Sequence, residues 1–412
     1  MNKVKKYSNG LTLITSEDTN PSCVFGIMIG VGSINESEDL NGISHYIEHM
    51  SFKGTKNLSA FDIPNKMDLN GANFNAYTST ETTCFYAQSI KENLENTFMI
   101  MADAVFNSTY PDSEAEKEKK VIIEEINMSE DSPDDVCFDL SSKAFFGNDG
   151  YGRTILGTQK NVLSFSLEDI KNYISSFYVA ENIVITFAGN IKEEYADYLV
   201  NKYVLPYICN NKKGDSPKYN TQNKKGKLSK DKDVEQVHMC LSFPSLNTLS
   251  PNKIHSEMAV SLLGGGMSSR LFTRVREELG LAYSVYSFAS RYKDAGTVNV
   301  YAGVNLERYE EAFEEILKTI EKFKKSGISD EEFLKVKNGL KASTLFALEK
   351  PMTKVQLLSK YYLLFNDLYN YEKRLEDIDN VKKQDIEESI NEFDVNNMAT
   401  AVVGKGVKPL IV

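Results

Sequence analysis

Histidine is scarce in this chain, with four in 412 residues, and the five cysteines are odd in number. Cys23, Cys84, Cys137, Cys209 and Cys240 form no C-x-x-C pair. That excludes a cysteine-ligated zinc site of the usual spacing and a disulfide framework, and it fits buried thiols in a reducing compartment. A basic excess is also missing. Against 58 Asp and Glu stand 47 Lys and Arg, a net charge of -11. No nucleic-acid partner is expected, because such binders present a basic patch. Anchoring to an anionic membrane surface is disfavoured on the same ground. No apolar run reaches the roughly 18 residues that a bilayer span needs. The basic residues 1–10 lead into residues 11–17, too short and too polar for the apolar part of a secretory signal. A cytoplasmic location is the expectation that remains. Apolar content of 41% and charged content of 25% describe an ordinary globular protein, and the length predicts two or more domains.

Two of the scarce histidines lie close together. His45, Glu48 and His49 have the spacing H-x-x-E-H. On a helix, positions i, i+3 and i+4 share one face. Two imidazoles on that face provide half of a tetrahedral zinc site. The carboxylate between them is too close to serve easily as a third ligand, but it is placed to take a proton from water at the metal. The spacing is the reverse-order form of the H-E-x-x-H zinc peptidase motif.

A third ligand is then required. His238 falls in an apolar strand and His255 at a helix start, so each reads as a core or surface residue. A carboxylate must complete the site, and the acidic helix at 114–128 offers Glu118, Glu124 and Glu125. Helical phase puts Glu118, Val121, Ile122 and Glu125 on one face, expected to be buried, and Glu124 toward solvent. Buried carboxylates without partners are costly. Zinc and its histidines would remove that cost, so the residues point to Glu125 or Glu118.

Strands are predicted at 11–16, 24–31, 73–79, 83–88 and 182–188, and residues 32–39 read as a polar loop. Helices are predicted over the motif and at 59–69, 92–106, 113–128, 167–177 and 193–200. Residues 212–232, rich in Lys, Asn, Gly and Ser, have the composition of a linker. Beyond them strands at 237–243, 283–290, 297–304 and 399–403, with helices at 254–263, 306–323, from 329, and at 378–390, replay the order. This predicts an α+β fold of two homologous α/β domains, each a mixed or antiparallel sheet with helices on one face. Residues 1–211 form the domain with the zinc motif, 212–232 the linker, and 233–412 the copy without it. Where the second motif should fall stand Gly264, Gly265, Gly266, Met267, Ser268, Ser269 and Arg270. No Lys-Ser/Thr follows these glycines, so a phosphate loop is not indicated.

Five stretches resemble the pitrilysin (insulinase) family of zinc peptidases, most of all its bacterial members related to the mitochondrial processing peptidase. They are GISHYIEHM at 42–50, NAYTS at 75–79, EKKVIIEEI at 118–126, GGGMSSRLF at 264–272 and REELGLAY at 276–283. They keep the family's order through both halves, so the resemblance spans nearly the whole chain. It implies a zinc-dependent endopeptidase with one Zn²⁺ per chain, held by His45, His49 and Glu125. Glu48 would be the base, and Glu118 an auxiliary acid that orients a histidine or tunes the site. Arg276 and Tyr283 would come from the second domain, Tyr283 to share oxyanion charge and Arg276 to hold substrate or position Tyr283. Asn75, Ala76 and Tyr77 would lie on a strand edge where an extended peptide adds. The resemblance further implies that the two domains line one side of a clamshell chamber and that two chains assemble. With the catalytic set and the Gly-rich loop on one chain, a homodimer is expected; a heterodimer with a sister chain is the alternative. The competing reading is a non-catalytic partner or scaffold subunit. Such subunits commonly lose the metal and base set, which is complete here.

Overall fold

Runs of branched and aromatic residues form most strands of two sheets in the computed structural model, which describes residues 2–411. The first sheet holds β1 (Asn2–Lys6), β2 (Thr12–Glu17), β3 (Ser22–Ile29), β4 (Asn73–Thr78), β5 (Thr83–Ile90) and β6 (Ile183–Gly189), in the order β1-β2-β6-β3-β5-β4. The second holds β7 (Lys227–Asp231), β8 (Gln236–Pro244), β9 (Ala282–Arg291), β10 (Gly296–Asn305) and β11 (Ala399–Gly404), in the order β7-β11-β8-β10-β9. From β2 onward each strand has a counterpart in the same place. The β2–β6 and β7–β11 pairs are parallel, and all the other pairs are antiparallel. The fold is α+β and internally duplicated.

The helices named below are α1 (Ile43–Ser51), α2 (Asp62–Leu69), α3 (Leu94–Phe106), α4 (Asp112–Asp131), α5 (Pro133–Phe146), α6 (Gln159–Ser164), α7 (Leu167–Phe177), α8 (Glu193–Tyr203), α9 (Lys253–Gly264), α10 (Tyr309–Ser326), α11 (Asp330–Glu349) and α12 (Pro351–Phe365). In the first core Phe25 of β3, Phe98 of α3 and Phe187 of β6 form a ring cluster with centroids 5.0 to 5.7 Å apart. The predicted helix at 378–390 is broken: one helix ends at Asn380 and the next begins at Lys383.

The folded units do not follow the continuous division 1–211 and 233–412. One unit runs to residue 126, resumes at 154–218 and takes in 346–369; the other holds 127–153, 219–345 and the chain from 370 onward. Burial explains why. Strands β6 and β11 are buried at every position, so both faces of each sheet need cover. Helix α5, from the first half, packs on β8 and β11, while α12, from the second half, packs on β3 and β6. Each exchanged helix meets its sheet through a buried hydroxyl pair, Ser141 with Ser242 at 2.6 Å and Ser359 with Thr186 at 2.7 Å. Both serines are the ninth residue of their helix. The expected linker at 212–232 is likewise divided between the units, and its last part is β7. As an edge strand β7 is only half-buried, which accounts for its polar sequence. Among the described residues no helix is long and apolar enough to cross a membrane.

Candidate metal centre

Helix α1 is fixed at its N-terminus before it presents any side chain. Its cap, Gly42, has φ +99°, and a Cβ there would lie 2.7 Å from the carbonyl oxygen of Leu156. Only glycine takes that conformation and that approach without strain. The first N–H groups of a helix need acceptors. Here Glu36 supplies them: its carboxylate accepts from the backbone N–H of Gly42 at 2.7 Å and of Ser44 at 2.9 Å, and from Asn41 Nδ2 at 3.0 Å. Glu36 is fully buried, and burial pushes its carboxyl above the usual range despite these donors.

One turn on, the His45 and His49 rings meet edge to face at a centroid distance of 4.5 Å. Helix α4 brings Glu125 to them. Its Oε2 lies 3.6 Å from His45 Nε2 and 3.4 Å from His49 Nε2, and the three ligand atoms all lie within 4.8 Å of one another. A tetrahedral zinc with bonds of about 2.0–2.1 Å separates its ligands by about 3.3 Å. The donor set therefore fits such a cation, in both chemistry and spacing. His49 Nδ1 donates to Glu118 Oε1 at 2.8 Å, and Glu118 Oε2 pairs with Lys53 Nζ at 2.6 Å. Glu118 is thus a buried neighbour of the histidine pair rather than part of the converging set. Glu124 is exposed, as helical phase requires. Val121, expected on the buried face, is half exposed.

Electrostatics favour positive charge at this place. Burial lowers the pKa of His45, reinforced by repulsion from His49. Burial also opposes charge on His49, but hydrogen bonds to Glu118 and Glu125 outweigh it and raise His49 to about 9. The bond to His49 holds Glu125 below the usual carboxylate range. Glu118 is held low as well, where burial is overcome by His49 and Lys53. Glu48 is different. Buried beside the cluster, its carboxyl is raised by loss of water, and the hydroxyl of Thr78 partly offsets this by donating to Oε2 at 2.5 Å.

Thr78 ends β4, the outer strand of the first sheet, whose other neighbour is β5 alone. Asn75, Ala76 and Tyr77 lie on this strand; Asn75 is exposed and Ala76 and Tyr77 are half-buried. Arg276 and Tyr283 belong to the other unit. Arg276 sits in a short π-helical segment, Phe272–Glu278, with its guanidinium 4.9 Å from the Phe272 ring and 5.5 Å from that of Tyr283. Tyr283 is 74% exposed. In the duplicated copy the ligand positions are lost: α4 and α11 are each 20 residues long, and where α4 has Glu118 and Glu125, α11 has Val336 and Ser343. Sequence reasoning assigned no part to Glu36 or Lys53, and gave Thr78 only a place in the strand-edge stretch at 75–79. Glu36 had only a place in a polar loop, and nothing local marked it as buried.

Two family descriptions match the chain: insulinase (peptidase family M16) over residues 11–159, and the peptidase M16 inactive domain over residues 164–340. The chain is 36% identical over 401 residues to YmxG of Bacillus subtilis (strain 168), described as an uncharacterized zinc protease, covering 96% of this chain and 93% of that one. It is 32% identical over 404 residues to an uncharacterized zinc protease of Rickettsia felis, covering 97% of each. Its fold matches the crystal structure of a protease from Helicobacter pylori with a TM-score of 0.91 at 24% identity, over 98% of this chain and 99% of that one. A peptidase M16 inactive-domain structure from Pseudomonas fluorescens gives 0.90 at 18% identity, over the full length of both. The chain belongs to the insulinase family of peptidases, family M16.

Proposed function

We propose that the chain is a zinc-dependent endopeptidase acting on peptides or unfolded polypeptide segments. The observation that carries this is the convergence of His45 Nε2, His49 Nε2 and Glu125 Oε2 beside the buried carboxylate of Glu48. Zn²⁺ held by these three residues would supply Lewis acidity, making water more acidic and polarising a peptide carbonyl. Glu48 takes the proton from the attacking water and passes it to the departing amine. Thr78 fixes the direction of that carboxylate. Glu118 accepts a hydrogen bond from His49 Nδ1–H, which keeps the proton there and so reserves Nε2 for the metal. The free edge of β4 pairs with an extended substrate through Asn75, Ala76 and Tyr77. Tyr283, exposed and backed by Arg276, offers its phenol to the developing oxyanion. We place the active form in the cytoplasm as a homodimer, which light scattering tests as a mass twice 46.4 kDa.

The test combines zinc content with cleavage of a quenched fluorogenic peptide library. Stoichiometric zinc and chelator-sensitive cleavage are expected. Glu48→Gln should keep zinc and lose about 10²–10⁴-fold in rate; full activity in that variant removes Glu48 as base. His49→Ala should lose zinc and cleavage together. A chain with neither zinc nor cleavage would be a scaffold subunit instead.

A further inference from the structure

The second unit contains a cavity of about 340 Å³ between α5 and the face formed by β8, β9 and β10. No charged side chain lines it. Its walls are aromatic and its floor is polar. Phe138 and Phe288 meet edge to face at 5.6 Å, and Tyr286 lies 5.9 Å from Phe288. On the other side Phe146 and Tyr292 are 6.3 Å apart. These rings brace one another, so the wall is formed in advance of any guest. The floor holds the Ser141–Ser242 hydroxyl pair, with Cys240 Sγ 3.9 Å from Ser242 Oγ, and the two hydroxyls have more donors and acceptors than these contacts use. It also holds Asn299, whose Nδ2 donates to Thr297 Oγ1 at 3.1 Å and to Ser290 Oγ at 3.4 Å.

The volume lies at the small end of ligand pockets, too small for a folded partner and sufficient for one or two rings. An uncharged lining would leave an ionic guest unpaired. A purely aliphatic guest would make no use of the hydrogen-bonding capacity that remains on the polar floor. We propose that this cavity binds a neutral aromatic group with a hydrogen-bonding edge, a phenol or an indole. The ring stacks among Phe138, Phe288 and Tyr286, and its OH or NH reaches the serine pair or Asn299. The group can arrive on a peptide chain or as a free small molecule. The peptide source rests on the peptidase reading; the site itself does not.

The chain contains no tryptophan, so indole emission reports only on an added probe. Two probes are titrated into the Glu48→Gln protein, where a peptide stays intact: N-acetyl-tryptophanamide, and a hexapeptide amide with one central Trp flanked by Gly and Ser. A saturable blue shift is expected, reversed by N-acetyl-tyrosinamide and unaffected by N-acetyl-alaninamide. Ser290→Phe and Ser142→Phe each fill the cavity and should weaken binding at least tenfold. Ser142 lies half-buried on α5, so its variant keeps the test alive if Ser290→Phe misfolds. Binding of the peptide alone assigns the site to peptide side chains, and equal binding of the free amide assigns it to small aromatics. No saturable shift, or a shift that survives both substitutions in folded protein, overturns the proposal. Because no turnover is measured, a failure of the peptidase reading would leave this result standing.

Discussion

Replacing Thr78 by Val removes one hydroxyl and keeps a branched side chain suited to a strand. In the native protein that hydroxyl donates to Glu48 Oε2 at 2.5 Å, and it is the first among the interactions that hold the Glu48 pKa down against burial. A hydrogen bond to a charged group contributes about 1.5–3 kcal/mol. At about 1.4 kcal/mol per pKa unit, its loss should raise the Glu48 pKa by about one to two pH units. The sign follows directly. Glu48 must be ionised to accept a proton, so activity falls as pH drops through its pKa. In the metal-free protein burial already holds the Glu48 pKa above the ordinary glutamate range, and Thr78→Val should move it higher still. A bound cation lowers the Glu48 pKa in both proteins, so the difference survives. The assay is the pH profile of kcat/KM on a fluorogenic peptide, with zinc content measured in parallel and Thr78→Ser, which keeps a hydroxyl, as the control. An acid limb unmoved in Thr78→Val, with zinc retained, would refute this account of Glu48. Loss of zinc would mean that Thr78 acts on the metal ligands instead.

Other substitutions probe the supports of the centre and of the fold. Glu118→Gln should weaken zinc binding about 10–100-fold, since His49 loses its charged acceptor; competition with a calibrated chelator reads this, corrected at each pH for the proton that competes at His49, whose pKa is raised to about 9 in the parent. Glu36→Ala strands the N–H groups of Gly42 and Ser44 and should cost about 2–3 kcal/mol in urea unfolding of the metal-free protein. A cost below 0.5 kcal/mol, the scale of an ordinary surface substitution, would mean that water replaces the carboxylate. Ser359→Ala leaves Thr186 unpaired inside the first unit and should cost about 1–3 kcal/mol. If α12 were only loosely held, the variant would unfold like the parent.

Local pattern was enough to read most of both sheets and the helices that carry the motif. Strands such as β5 and β10 are runs of branched and aromatic residues whose character is decided on the spot, and α1 and α4 show their faces by spacing alone. Helical phase narrowed the third ligand to Glu118 or Glu125. The resemblance chose Glu125, and the distances place Glu125 among the three converging atoms and Glu118 behind His49. What escaped depends on distant chain. Helices α5 and α12 were not predicted, because the surfaces that explain their apolar residues lie in the other half of the sequence. Proline at the first helical position of each, Pro133 and Pro351, was the available signal. Glu36 escaped for a similar reason: its acid is buried by a helix cap, and composition cannot distinguish that from a solvated loop. Strand β7 was taken for linker because an edge strand tolerates the same polar residues.

The exchanged helices also decide the order in which the protein can be completed. The sheet of the unit that holds the candidate metal centre is fully translated by residue 189, yet α12 begins only at residue 351. At about 5–20 residues per second, synthesis leaves that sheet face waiting for roughly ten seconds or more. During that interval Val24, Val184 and Ala188 lack their apolar partners from α12. A nascent chain in this state exposes sticky surface and is a natural client for chaperones. No single cut near residues 211–233 yields two self-sufficient pieces, since each would carry away the other's covering helix. Two such fragments should be insoluble apart and recover structure only when refolded together.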